Sequence, residues 1–229
     1  MQKHQLSAEE TWDAIAESFD TTRRTPWKQC LEFISTLQTT AVVADIGCGN
    51  GRNLFPAAEH CHHVIGVDIS QKLLKIVQKK IHGKNIKNVT LIHADGVELP
   101  LADNSIDAVM CIASLHNIQG KERRLVALKE ITRVLKPHGA ALITVWSRWQ
   151  KNYYRYFLKQ IFLRSQEFGD IDIYWKQHHL NVPRFYHLYS RAEFKKELKT
   201  AQLSINNIQR VKIHSKHFPD NYFAVMQKR

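Results

Sequence analysis

The sequence predicts an α/β domain, a doubly wound and mostly parallel sheet of seven strands, with a basic, aromatic insertion after the fifth. Three observations predict it. Short apolar runs of strand length alternate with stretches of helical period; a glycine-rich segment, Gly47 to Gly51, stands where the first strand gives way to a helix; and an acidic residue ends each of three successive strands.

The elements follow in order. Ser7 and Glu10 form a capping-box pair before a helix that carries Trp12, Ile15, Ala16 and Phe19 on one face. Thr25-Pro26 opens a second helix, through Trp27, Cys30, Leu31, Ile34 and Leu37. Strand 41–46 comes next, then a helix after Gly51, strand 63–68, helix 70–82, strands 89–94 and 106–113, helix 121–136 and strand 139–146. Ser190 with Glu193 caps a last helix, and strands 204–212 and 221–227 close the chain. Strands separated by helices pair in parallel, and ligands of such sheets bind at the strands' C-terminal ends.

A chain of 229 residues suits one domain. Its expected parts are N-terminal helices (1–39), a cofactor-binding core (40–147), a substrate-side insertion (148–189), and a last helix with terminal strands (190–229). The insertion holds too little apolar content to fold alone.

Basic residues outnumber acidic ones by 33 to 21, and the excess is uneven. Residues 1–147 carry 17 Lys or Arg against 15 Asp or Glu, whereas residues 148–229 carry 16 against 6. A basic excess beside Tyr and Trp points to a polyanionic partner. The cysteines, at 30, 48, 61 and 111, lack the spacing of a zinc knuckle or a redox dithiol, so a reduced, cytoplasmic setting and no metal site are expected. No apolar run approaches the roughly 18 residues of a membrane span, and the polar start is unlike a signal peptide.

The glycine segment reads Asp45-Ile46-Gly47-Cys48-Gly49-Asn50-Gly51. A dinucleotide site wants G-x-G-x-x-G with pyrophosphate on the helix start, but here the pattern is G-x-G-x-G behind an acid, which a pyrophosphate would meet badly. S-adenosylmethionine carries no phosphate; it brings a sulfonium, an ammonium, a carboxylate and a ribose diol. Asp68, 17 residues after Gly51, is placed to accept ribose hydroxyls, with Ile69 beside it. Asp95-Gly96 ends the third strand, where an adenine amino group would be read, and Ala113 follows the fourth.

This constellation resembles the class I S-adenosylmethionine-dependent methyltransferases over roughly residues 40–147, a Rossmann-like fold. A finer resemblance is to the tRNA wobble-uridine carboxymethyl methyltransferases, including the methyltransferase half of the AlkB-fused animal enzyme. It rests on Ile112-Ala113-Ser114-Leu115-His116-Asn117, the pair Arg123-Arg124, Arg133-Val134-Leu135-Lys136-Pro137, Val145-Trp146 with Gln150, Val182-Pro183-Arg184-Phe185-Tyr186-His187 and Asp220-Asn221-Tyr222. Asn117 stands where the family has a second histidine, and His138 interrupts its Pro-Gly-Gly.

The resemblance implies methyl-ester formation on a carboxymethyl uridine of tRNA, and a small zinc-binding activator subunit. His116, Arg184 and His187 are then the candidates to orient the acceptor. Arg123 and Arg124, with Arg184 and Lys176, are candidates for phosphate, and Tyr186 with Trp175, Phe185 and Tyr189 for base stacking. The segment Phe19 to Arg24 resembles one that folds over the cofactor, with Arg24 or Arg23 toward its carboxylate. Two other functions remain compatible with the residues: a methyltransferase for small molecules, and a noncatalytic RNA-binding protein.

Overall fold

The protein is described by a computed structural model over residues 6–160, 167–213, 215 and 218–229. Residues 161–166 of the expected insertion lie outside the described residues. The elements are α1 (Ala8–Thr22), α2 (Lys28–Ser35), β1 (Val42–Ile46), α3 (Leu54–His60), β2 (His63–Asp68), α4 (Gln71–Lys84), β3 (Val89–His93), β4 (Ile106–Ile112), α5 (Lys121–Val134), β5 (Leu135–Trp146), α6 (Tyr154–Gln160), β6 (Asp170–Trp175), β7 (Val182–His187), α7 (Arg191–Thr200), β8 (Leu203–Val211) and β9 (Asn221–Lys228). Seven strands form one sheet in the order β3-β2-β1-β4-β5-β9-β8, and β6 with β7 makes a second, two-stranded one.

Contacts group the chain into two compact units, Met1–Gly96 with Ile173–Arg184, and Val97–Asp172 with Phe185–Arg229. In the first, β1, β2 and β3 pair in parallel, Asp45 opposite Gly66 and Asp68 opposite His93. Its strands are apolar because they are covered: Val43, Ala44, Val64 and Val67 are buried. In the second, β4 and β5 are parallel, while β9 runs antiparallel to both β5 and β8.

Local sequence accounts for most element ends. The Ser7 hydroxyl accepts the Glu10 N–H at 3.2 Å and the Glu10 carboxylate accepts the Ser7 N–H at 2.8 Å, the capping box that the sequence announces. Ser190 and Glu193 repeat it on α7. Most boundaries fall within two residues of expectation, and two departures are instructive. α2 starts at Lys28 behind Trp27, with no side-chain cap from Thr25. α5 stops at Val134 and β5 starts at Leu135, several residues before 139, because Leu135 already pairs with Ile106 and Lys136 bonds Asp107 at 2.7 Å. The ladder then shifts register, and His138, where glycine was expected, takes φ +63°. The two strands inside 148–189 were not foreseen.

Candidate functional site

The loop after β1 holds three left-handed glycines, Gly47, Gly49 and Gly51, at φ +70°, +57° and +82°. A Cβ on Gly51 would sit 2.8 Å from the Phe55 ring, so only glycine serves there. The Gly47 and Cys48 N–H groups donate to the Val67 carbonyl at 2.7 and 3.0 Å. Asp68 completes the tie: its Oδ2 accepts the Gly49 N–H at 2.7 Å and its Oδ1 the Ser70 N–H at 2.8 Å. Asp68 therefore braces the loop against the start of α4. Each oxygen takes a second hydrogen bond, so this duty is compatible with the expected one toward ribose.

Asp45 is 1% exposed, and its Oδ2 has no hydrogen-bond partner among the described residues. Burial, and then the nearby Asp68 carboxylate, raise its pKa to about 7. The Arg52 guanidinium offsets this only in part, since Asp45 stays raised, so two carboxylates in one buried place ask for a further cation. The sulfonium and ammonium of S-adenosylmethionine answer that demand, and a pyrophosphate would aggravate it, so these residues fit the expected cofactor. Cys48 is a buried thiol pushed far above its usual pKa by burial, an inert wall.

Helix α1 is fastened over this loop by residues of the segment Phe19 to Arg24 and by three that sequence reasoning passed over, Asp13, Ser70 and Lys80. The Asn50 amide donates to Asp20 Oδ1 and to the Arg23 carbonyl, both at 2.9 Å, and Lys80 bonds Asp20 as well as the Asn50 carbonyl, the latter at 3.1 Å. The Ser70 hydroxyl donates to Asp13 at 2.6 Å. The Phe19 ring is what a Cβ on Gly49 would meet, at 3.4 Å. Asp13 and Asp20 stand seven apart and share a helical face, as Trp12 and Phe19 do, and it is the acidic pair that an apolar-only reading of α1 missed. Asn50, expected to meet the cofactor, spends its amide on α1. Arg24 is exposed, and it is Arg23 that joins this cluster, its guanidinium 5.3 Å from the Trp175 ring centroid.

Arg184 belongs to the same unit, 4.8 Å from the Trp175 ring centroid and 5.8 Å from that of Trp12, and 7% exposed. Trp175 is itself buried and donates to Ser18 Oγ at 2.8 Å, so it stacks on protein, not on a base. Lys176 is exposed. Ile69 and Asp95 are half-buried; the Ile69 carbonyl accepts from His93 Nε2 at 2.8 Å, and a Cβ on Gly96 would lie 3.5 Å from Ile46.

In the second unit, Ala113 takes φ +55° at the end of β4 and donates its N–H to Thr144 Oγ1 at 2.8 Å. His116 is 1% exposed, accepts the Trp146 N–H on Nδ1 at 3.2 Å, and stacks on Tyr186 at 5.3 Å between ring centroids. Tyr186 stacks in turn on Trp146 at 4.9 Å. Tyr186, at 3% exposure, is part of this wall and offers no face to an RNA base. Tyr189, fully buried, offers none either.

Two further expectations are corrected here. His187 is fully buried, with Nδ1 2.6 Å from Asp170 and Nε2 3.1 Å from Glu193, so neither ring nitrogen is left to orient an acceptor. Arg124, expected at phosphate, is also fully buried: it pairs with Glu167 and lies 3.6 Å from Glu197. The inward face of α5 takes Arg124 and leaves Arg123 exposed. Glu167, His187 and Glu193 could be spaced for a metal, but both glutamates already pair with arginines, Arg124 and Arg148, which makes the cluster an ion network. Among the described residues no helix is long and apolar enough to cross a membrane.

Residues 44–143 match the methyltransferase domain family. The tRNA (carboxymethyluridine(34)-5-O)-methyltransferase ALKBH8 of Macaca fascicularis is 37% identical over 62% of this chain and 20% of its own length. The Schizosaccharomyces pombe tRNA (carboxymethyluridine(34)-5-O)-methyltransferase is 29% identical over 96% of this chain and 95% of its own. The chain spans a fifth to a third of the first four curated relatives it matches. Among solved structures, a Haloferax volcanii putative methyltransferase complexed with the Trm112 methyltransferase activator superposes with a TM-score of 0.69 at 15% identity, over 97% of this chain and 99% of that one. The loop, its acids and the sheet order agree with these likenesses, and residues 44–143 carry the match to a methyltransferase domain.

Proposed function

We propose that this protein methylates the carboxylate of a carboxymethyl-modified wobble uridine in tRNA, forming a methyl ester. The observation that carries the reading is the match to the fission-yeast enzyme, which runs past the cofactor core through the acceptor-side residues of nearly the whole chain. The basic excess of residues 148–229 supports a polyanionic substrate.

When bound, S-adenosylmethionine supplies a methyl group on a cationic sulfur that is neutral once the methyl has left. Asp45 and Asp68 place buried carboxylates at the ends of β1 and β2; Asp68 holds the loop, and both would face the cofactor's cationic groups when it is bound. An acceptor carboxylate with a pKa near that of Glu, about 4.3, is ionised at neutral pH, so the chain needs no general base and contributes orientation. His116 accepts the Trp146 N–H on Nδ1, which fixes its ring beside the end of β5, and the family resemblance gives it the role of orienting the acceptor. Arg184, its guanidinium over the Trp175 ring, is the cation assigned to the acceptor.

The same reading includes a Trm112-type activator and a cytoplasmic setting. The test is methyl transfer from labelled cofactor into tRNA from cells lacking this protein, with the activator supplied and nucleosides resolved afterwards. Label in a base-hydrolysable uridine ester is expected; label confined to small molecules overturns the reading.

A further inference from the structure

Residues 147–166 contain five Lys or Arg and no Asp or Glu. The described part of this stretch leaves large rings in water: Trp149 is 39% exposed, Tyr154 37% and Tyr156 36%. Only Phe157 anchors α6 inward, edge-on to Phe168 at 5.8 Å and under the Arg148 guanidinium at 5.9 Å. At about 100° per residue, the outward side of α6 reads around the helix as Tyr154, Leu158, Arg155, Lys159 and Tyr156, two cations and one exposed leucine between two rings. Lys151, also exposed, follows Trp149 just before the helix.

We propose that this face, Trp149 and Lys151 with Tyr154, Arg155, Tyr156 and Lys159, is where unpaired bases of the substrate RNA stack, with the cations following the phosphates. The inference rests on the RNA half of the function proposed above and locates the stacking surface that the buried Trp175, Tyr186 and Tyr189 do not provide. Three arguments support it. Exposed rings lose free energy in water unless a partner covers them, and a cluster of them marks a binding surface. The cations have no acid within their own stretch to neutralise them, so the complementary partner is an anion. Tyrosine rings suit a wet, polar partner, since the hydroxyl stays solvated while the face stacks; Leu158 is the one exposed aliphatic side chain among the described residues of α6, where an acyl-chain partner would favour aliphatic side chains across the whole face.

The test is binding of fluorescent RNA hairpins, one with a seven-nucleotide unpaired loop and one capped to be fully paired, to the whole protein and to Y154A/Y156A, Y154F/Y156F and R155E/K159E. Loss of two stacked bases lowers affinity of Y154A/Y156A for the looped RNA by about tenfold or more, with little change for the paired one, and the phenylalanine variant restores it. R155E/K159E flattens the dependence of log affinity on log salt by about 1.4, two contacts at roughly 0.7 each on single strands. Unchanged S-adenosylmethionine binding by calorimetry shows that the variants are folded. Equal loss on both hairpins, no loss, or binding of phosphatidylserine vesicles in place of RNA overturns the proposal. If the wild type esterifies tRNA while Y154A/Y156A binds the loop normally, this face is wrong and the reaction stands. If these rings bind the loop but no ester forms, the face stands and the reaction is wrong.

Discussion

Asp68 Oδ2 accepts the Gly49 amide at 2.7 Å, joining two residues 19 apart through the mouth of the sheet. Its other oxygen takes the Ser70 amide, so one side chain fixes both the glycine loop and the first turn of α4. Removing both acceptors in Asp68→Ala leaves two N–H groups at a buried place, at about 1–3 kcal/mol each. A fall in melting temperature and a loss of S-adenosylmethionine binding of at least about a hundredfold by calorimetry are expected, 1.4 kcal/mol being tenfold. Asp68→Asn keeps an acceptor and recovers part of the stability. Full binding by Asp68→Ala would show that the loop stands without this brace.

Asp45 predicts a pH dependence with a definite sign. Its folded pKa, about 7, lies above the ordinary 3.8, so the folded chain retains a proton that the unfolded chain loses between those values. Stability of the ligand-free protein therefore falls as pH rises from about 4 to about 7, by on the order of 4 kcal/mol from this group. A bound sulfonium reverses the penalty and expels the proton. The rise in melting temperature produced by S-adenosylmethionine should accordingly grow with pH across neutrality, and Asp45→Asn should flatten that growth. A ligand-induced rise independent of pH in the native protein would place the cation elsewhere.

Adjacent arginines on α5 separate by role. Arg124→Ala strands Glu197, already raised in pKa by burial, together with Glu167, and breaking a buried pair costs about 3–5 kcal/mol. Arg123→Ala, on the exposed side, costs at most about 1 kcal/mol, as solvent-exposed interactions do, and lowers the melting temperature by no more than about 2–4 °C. Paired thermal melts decide it: equal losses would mean that the buried network contributes no stability.

How far the sequence carries this molecule depends on the range of each interaction. The parallel strands were legible because each is a short apolar run, and the cofactor loop because its glycines and Asp45, Asp68 and Asp95 lie at strand ends, where topology alone puts them. His187 was misread because its environment comes from Asp170 and Glu193, 17 and 6 residues away, on the neighbouring strand β6 and on α7. Arg123 and Arg124 look alike in sequence, and one residue of register, about 100° around the helix, decides which is buried. The rings of 148–189 carry no clear period, so nothing local told Tyr186, packed on His116, from Tyr154, left in solvent.

His187 allows a last separation between structure and catalysis. Burial pulls its pKa down, but the bonds to Asp170 and Glu193 outweigh it and hold the ring above its usual 6.5. The folded state thus keeps a proton longer than the unfolded one, and the stabilisation is complete below about 6.5 and lost as pH rises through the folded value. The stability difference between wild type and His187→Gln should be largest in mild acid and shrink on the alkaline side. Both ring nitrogens being taken, His187→Gln assayed well below its melting temperature keeps the KM for tRNA. A KM raised about tenfold with unchanged stability at every pH would instead return His187 to the acceptor, because a residue held only by its carboxylate cage has no nitrogen through which to change substrate affinity.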